Sequence, residues 1–327
     1  LEQGQKDLAA ADNFDRMRKI HRILVMHYVE NLSQAEIAKR TGISHPTINR
    51  LVKEGHERGF VEINIRSPMQ QFFDYEKQLV EHSQLTEALV TGTTSDLDEV
   101  NLATVGQACA DYLLSNLKDG DTICVSGGRG VDAVIAALRP TRRYDVTVVP
   151  ATGGLQGNFF TDVNHLAAQL ARKLKGRAYQ VHAPVFAQSE HERDVLMSLQ
   201  SVHSVLERAR KATIALVGIG SVNEGQSTYH SLRNDMGDPK EVEKVKAPGE
   251  LIAHLINADG SVNDYVMNNR IIGLSIDEFR AVPLKIGISA GPHKINAISG
   301  ILKGGFVDTL ATDEKTAVGV LARLVKK

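Results

Sequence analysis

The sequence predicts an α/β chain in two parts: an N-terminal winged helix-turn-helix unit, then a Rossmann-like domain built on a mainly parallel sheet. Three observations carry that prediction. Residues 33–54 hold two capped amphipathic helices around a glycine turn. From residue 86 onward, apolar strand-like runs alternate with helical stretches, the pattern of βαβ units. The chain has 327 residues, enough for one small and one large domain.

In the N-terminal part, Ser33 suits an N-cap and Glu36, three residues on, completes a capping box. Ile37 and Ala38 then face inward, and Gly42 ends the helix where a positive φ is expected. Ser44 caps the next helix, with Pro46 in its first turn. Ile48, Leu51 and Val52 form its buried stripe, and the opposite face carries His45, Thr47, Asn49, Arg50 and Lys53. Those side chains can hydrogen-bond bases or phosphates, so this is the layout of a recognition helix for double-stranded operator DNA. The plainer alternative is a helix pair packed on some other core. Capping, turn glycine and polar outward face all agree with the first reading.

Arg16 to Tyr28 supplies a preceding helix, with Ile20, Ile23, Leu24, His27 and Tyr28 on one face. Residues 1–15 are polar and alanine-rich and are expected to be loosely ordered. Gly59 to Ile65 alternates apolar and polar residues, which predicts a short strand as the wing. Residues 16–66 hold ten Lys/Arg against five Asp/Glu, whereas the whole chain sums to −1. The local excess suits a phosphate-facing surface, with Arg16, Arg18, Lys19 and Arg22 as candidate backbone contacts. Solvated helix charges would look the same.

Residues 1–68 are thus read as the DNA-binding unit, 69–85 as a linker helix and 86–327 as a second domain. The linker carries Phe72, Tyr75 and Leu79 on one side. It either pairs two subunits or docks on its own domain. No apolar run approaches the roughly 18 residues of a membrane span, and no signal peptide is evident, so no membrane partner and a cytoplasmic location are expected. Cys109 and Cys124 are the two cysteines. They read as buried free thiols, and the spacing offers no metal site and calls for no cofactor. Tryptophan is absent, which argues against single-strand stacking platforms.

In the second domain the expected strands are residues 88–91, 122–125, 146–150, 178–182, 214–218, 284–289 and 306–310, with helices at 102–117, 163–174 and 294–302. Ligands of such sheets bind outside the carboxyl ends of the strands. The loops there are glycine-rich: Ser126 to Gly130, Thr152 to Gly157, Gly218 to Ser221 and Ala290 to Lys294. Gly127 to Gly130 ends a strand and opens a helix, so its backbone N–H groups suit an anion; Arg129 adds a cation. The spacing matches neither a Walker A loop nor a dinucleotide fingerprint. A tight βα turn would use glycine in any case. Lys294, beside Gly291, is the second candidate cation.

Together these residues resemble the SorC/DeoR-type bacterial regulators whose C-terminal domain is related to sugar-phosphate isomerases. The resemblance runs from Ile20 to Leu324. It rests on Leu32 to Ala38, Ile48 to Val52, Glu54 to Gly59, Val217-Gly218-Ile219-Gly220, Gly287 to Gly291, Lys294, Ala297-Ile298, Leu302 to Gly305 and Leu310 to Glu314. It implies a homodimer or homotetramer, a small phosphorylated sugar or polyol as effector, and control of a sugar-uptake operon. It places the effector's phosphate on Gly128, Arg129, Gly130 and Val131, aided by Gly153 and Gly154. A carboxylate position and Lys294 close the other side. Two departures stand out: Asn257 occupies the carboxylate position, and Arg129-Gly130 stands where small hydroxyl residues often bind phosphate. Ala151 stands where some members carry a lysine, so no Schiff base is expected.

The leading expectation is a sequence-specific DNA-binding regulator of a carbohydrate-utilisation operon, controlled by a sugar or sugar phosphate and carrying no catalytic residues. The alternative is a sugar-phosphate isomerase or deaminase-like enzyme with a regulatory N-terminal domain. Its candidate bases, Asp162, His165, Asp259 and His293, form no recognisable constellation. A constitutive architectural DNA-binding protein would have no need of the glycine-looped domain.

Overall fold

The computed structural model describes residues 2–62, 69–155, 162–222 and 245–325. The chain divides into two compact units, Leu1–Pro68 and Met69–Lys327.

In the first unit, α1 (Glu2–Leu24) runs into a π-helical turn at Val25–Val29, followed by α2 (Gln34–Thr41) and α3 (His45–Glu57). The helix α1 begins far ahead of Arg16. The expected loose order of residues 1–15 gives way to strong helix formers (Glu, Gln, Lys, Ala, Leu), whose summed propensity outweighs polarity. Ile20, Ile23, Leu24 and Met26 pack against Ile37, Ile48, Leu51 and Val52. The capping box is present: the Ser33 hydroxyl accepts from the Glu36 N–H, and Glu36 accepts from the Ser33 N–H at 2.8 Å. Gly42 sits at φ +73°, a conformation that would strain a residue with a Cβ. Ser44 occupies the N-cap of α3, but its hydroxyl bonds the Thr47 hydroxyl at 2.8 Å instead of a backbone N–H. Of the wing expected at residues 59–65, residues 59–62 are not a strand, because Gly59 and Phe60 instead close the end of α3, and residues 63–65 lie outside the described residues.

In the second unit the elements are α4 (Gln70–Glu81), β1 (Glu87–Thr91), α5 (Asp98–Asn116), β2 (Thr122–Val125), α6 (Arg129–Ala137), β3 (Thr147–Pro150), α7 (Val163–Leu174), β4 (Arg177–Ala178), α8 (Glu190–Ser198), α9 (Gln200–Arg210), β5 (Ile214–Ser221), β6 (Gly249–Leu251), β7 (His254–Ile256), α10 (Ile276–Arg280), β8 (Leu284–Ile288), α11 (Ile295–Lys303), β9 (Thr309–Asp313) and α12 (Glu314–Leu324). The sheet order is β1-β9-β8-β5-β2-β3-β4, and every pairing along that path is parallel. Apolar clusters lie on both faces, as a parallel sheet requires. The β6–β7 hairpin continues antiparallel from the end of β5.

Three expectations shift. The hairpin was not anticipated, because Ala247 to Ile256 is nearly all apolar and shows no alternation. The last strand lies at Thr309–Asp313, not 306–310, because Phe306 and Val307 fill the core just before it. The fourth strand shrinks to two residues at the sheet edge. The linker helix α4 buries Leu79 fully in the core of its own unit, with Phe72 and Tyr75 packed against it. Cys109 and Cys124 are buried and free, and burial pushes both thiols up to about 12.

Candidate functional site

From β2 the chain winds outward through β3 to β4, and from β5 it winds the other way through β8 to β9. The reversal lies between β2 and β5, the crevice where doubly wound sheets take ligands. The Ser126 hydroxyl bridges that seam by accepting the Gly218 N–H at 3.0 Å. A cavity of about 150 Å³ opens there, some ten times the space of about 10–15 Å³ that one water needs. Its lining includes Gly127, Gly128, Arg129, Gly130, Gly153 and Lys294, six of the residues singled out from the sequence.

The β2–α6 turn forms the anion-friendly wall. Gly128 is the N-cap of α6 at φ +119°. The helix's first N–H groups have no intrahelical acceptor, and those of Arg129 and Gly130 have none elsewhere among the described residues. They lead into the cavity together with the Arg129 guanidinium.

Opposite, the β8–α11 turn presents His293 and Lys294. Gly291 there sits at φ +104°, where a Cβ would lie 2.4 Å from the His293 ring, so this position requires glycine. Asp313 holds the turn. It is 1% exposed and accepts from the Gly291 N–H at 2.8 Å, the Thr93 hydroxyl at 2.9 Å, and the N–H and hydroxyl of Thr316. The Leu310 to Glu314 motif is thereby explained: its acid caps α12 and fixes a loop at the cavity.

The charges inside the cavity oppose one another. Burial lowers the pKa of Lys294 to about 8, while Glu250 raises it and Arg129 lowers it further. Glu250, on β6, is 6% exposed. At the rim His293 meets Asp98 at 3.2 Å and Arg129 meets Glu99 at 3.9 Å. Burial and the Lys294 charge hold His293 below the usual imidazole value, against the pull of Asp98. The hairpin tip completes the wall with Ile252 at φ +43° and Ala253 at φ +65°. Left-handed backbone costs a β-branched residue roughly 1–2 kcal/mol. Behind it, burial lowers the pKa of His254 to about 4, so its Nδ1–H donates to the Ile252 carbonyl at 3.0 Å.

Four sequence-chosen residues do not line the cavity among the described residues. Val131 is fully buried in the core. Gly291 shapes its turn from behind. Gly154, like Gly153, has its N–H engaged: Gly153 donates to the Ile272 carbonyl at 2.7 Å and Gly154 to that of Ala183 at 2.9 Å. Neither N–H is available to a phosphate. Asn257 is held in the β7 turn, donating to Ser261 and accepting from Asn263 at 2.7 Å. Glu250 is the buried carboxylate that does line the cavity. Its sequence signal was a lone charge inside the apolar run Ala247 to Ile256, which is rare unless the charge is paired. Of the candidate bases, Asp162 caps α7, His165 bonds Gln169, and Asp259 accepts from Ser261; His293 alone of the four lines the cavity.

In the first unit, His45, Asn49, Arg50 and Lys53 on α3 and Arg18 on α1 are exposed, and Thr47 is half-buried. Lys53 pairs with Glu57 at 3.8 Å. Arg16, expected to face phosphates, is clasped by Glu54 at 2.7 Å, and Glu54 also meets Arg58 at 2.8 Å.

The family described as "Putative sugar-binding domain" matches residues 67–322, and the MarR family matches residues 21–70. The sorbitol operon regulator of Klebsiella pneumoniae is 29% identical over 311 residues, covering 94% of this chain and 98% of that protein. The erythritol catabolism regulatory protein EryD of Brucella abortus (strain 2308) is 27% identical over 300 residues, covering 91% and 94%. The crystal structure of the full-length sorbitol operon regulator SorC from Klebsiella pneumoniae superposes with a TM-score of 0.72 at 28% identity, covering 93% of this chain and 98% of that one.

Proposed function

The chain belongs to the SorC-type family of transcriptional regulators with a sugar-binding domain, and from that premise we propose that its cleft takes a small phosphorylated sugar or polyol. The protein is a DNA-binding regulator of a carbohydrate operon. The observation that carries the phosphate reading is the convergence of the α6 N–H groups, Arg129 and Lys294 on one cavity. Such donors suit an anion of about two charges. Glu250, Ser126 and Ser289 line the same cavity and can meet hydroxyl groups.

His45, Thr47, Asn49, Arg50 and Lys53 read base edges in the major groove, and Arg18 contacts phosphate. One helix-turn-helix covers a half-site, so a homodimer or homotetramer binds the operator. The protein acts in the cytoplasm, and no described helix is long and apolar enough to cross a membrane. The cleft binds its ligand without converting it. Three of the four candidate bases are engaged outside the cavity, and His293 sits on its rim beside Asp98.

The test is a gel shift on a selected operator, with and without a panel of sugar and polyol phosphates. One of them is expected to change wild-type binding, whereas Lys294→Ala binds DNA and does not respond. A Lys294→Ala protein that responds as the wild type does would place the ligand elsewhere. Turnover of sugar phosphates at about 1 per second or faster would favour the enzyme reading.

A further inference from the structure

The rim carboxylates differ in kind from Glu250, which is 6% exposed and whose charge acts on Lys294. The Asp98 side chain is 50% exposed and that of Glu99 84%. Both stand in the first turn of α5, and each faces a cation on a different cleft loop: Glu99 faces Arg129 on the β2–α6 side, and Asp98 faces His293 on the β8–α11 side. Three carboxylates (Asp98, Glu99, Glu250) thus line the cavity with two full cations, Arg129 and Lys294. An incoming anion does not meet an open positive field. It meets Arg129 facing, at 3.9 Å, a carboxylate of the protein itself.

The geometry makes that exchange feasible at one position. At 84% exposure Glu99 keeps most of its hydration, so leaving Arg129 costs little, as for exposed ion pairs in general. A phosphate brings more than the carboxylate it displaces: about two charges and three acceptor oxygens. It can bond the guanidinium and the leading N–H groups of α6 together.

We propose that Glu99 is an internal competitor for the anion seat, and that its displacement from Arg129 sets the affinity threshold a ligand's anionic group must exceed. This rests on the reading of the α6 turn and Arg129 as that seat, and it makes Glu99 a specificity-determining residue. The cost of displacing Glu99 falls on any anion, so only one that gains more from Arg129 and the α6 N–H groups than a carboxylate does takes the seat.

The test is calorimetric titration of inorganic phosphate, at constant ionic strength, into four full-length proteins: wild type, Glu99→Gln, Arg129→Gln and the double variant. Removing the competitor is expected to tighten phosphate about two- to five-fold. Arg129→Gln is expected to weaken it, and Glu99→Gln to have no effect in the Arg129→Gln background. A purely structural role for Glu99 would not vanish with Arg129. If Glu99→Gln changes nothing, or its gain persists without Arg129, the competitor is refuted and the seat stands. If Arg129→Gln binds as the wild type does, or none of the four binds phosphate, the seat itself is wrong and the inference falls with it.

Discussion

Replacing Asp313 by asparagine keeps the side chain's shape and removes its charge. One oxygen accepts from the Thr93 hydroxyl at 2.9 Å and the Thr316 N–H at 3.1 Å; the other accepts from the Gly291 N–H at 2.8 Å and the Thr316 hydroxyl. An asparagine amide offers one oxygen, and its NH2 would face donors. At 1% exposure water cannot repair the loss. A hydrogen bond to a charged acceptor contributes about 1.5–3 kcal/mol, so losing one oxygen's pair suggests about 3–6 kcal/mol. The Thr316 hydroxyl can reorient, which favours the lower end, about 3 kcal/mol. Urea unfolding of the full chain, followed by far-UV circular dichroism at pH 7, measures the difference. Burial raises the pKa of Asp313, but its hydrogen bonds from Thr316, Gly291 and Thr93 outweigh that and leave it lowered. A carboxylate lowered in the folded state stabilises above its unfolded value of about 3.9 and loses that stability as pH falls through the folded value. The gap between wild type and Asp313→Asn is therefore full at pH 7 and closes below about pH 4. A difference under about 1 kcal/mol, or one unchanged at pH 3, would refute the assignment of Asp313 as the clamp.

Three further outcomes follow from named contacts. Lys294, with a pKa of about 8, is charged at pH 7 and mostly neutral at pH 9, so affinity for an anionic effector should fall over that window and the fall should be absent in Lys294→Met. For folding the sign is opposite: the unfolded lysine holds its proton up to about 10.4, so this group makes stability rise with pH between about 8 and 10.4. Arg50→Ala should cost about 1–3 kcal/mol at its base position, whereas Arg18→Ala should weaken all sequences and reduce the salt slope by about one; competition binding at several salt concentrations separates the two. Glu54→Gln opens the clasp on Arg16 and Arg58. Because the Arg16 side chain is half exposed, stability should change little, while the released Arg16 steepens the salt dependence of operator binding; an unchanged slope would mean that Arg16 never reaches phosphate.

What could be read in advance was whatever the chain states locally. The capping box at Ser33 and Glu36, the turn at Gly42 and the stripe of Ile48, Leu51 and Val52 each depend on residues a few positions apart, and each stands in the structure. The parallel strands were legible for the same reason, as apolar runs bounded by glycine turns. The β6–β7 hairpin was not, because its turn places Ile252 and Ala253 where local preference disfavours them, and contacts with residues distant in the chain hold them there. Glu250 was missed with it. Gly153 and Gly154, which the family resemblance places beside the effector's phosphate, spend their N–H groups on the carbonyls of Ile272 and Ala183, partners about 120 and 30 residues away that no local pattern announces.

The pairing of β1 with β9 has a consequence for the order in which the chain matures. Glu87 lies opposite Thr309 and Thr91 opposite Asp313, so the sheet's first strand waits for a partner made 222 residues later. At about 5–20 residues per second that wait lasts roughly 10–45 s on the ribosome. Asp313, which fixes the Lys294 turn, emerges in the same late stretch. The helix-turn-helix core, from Ile20 to Val52, is complete long before. A nascent chain therefore carries its helix-turn-helix unit well ahead of the completed cleft, and limited proteolysis of chains arrested on the ribosome at residue 300 should find a protected first unit and an unclosed sheet.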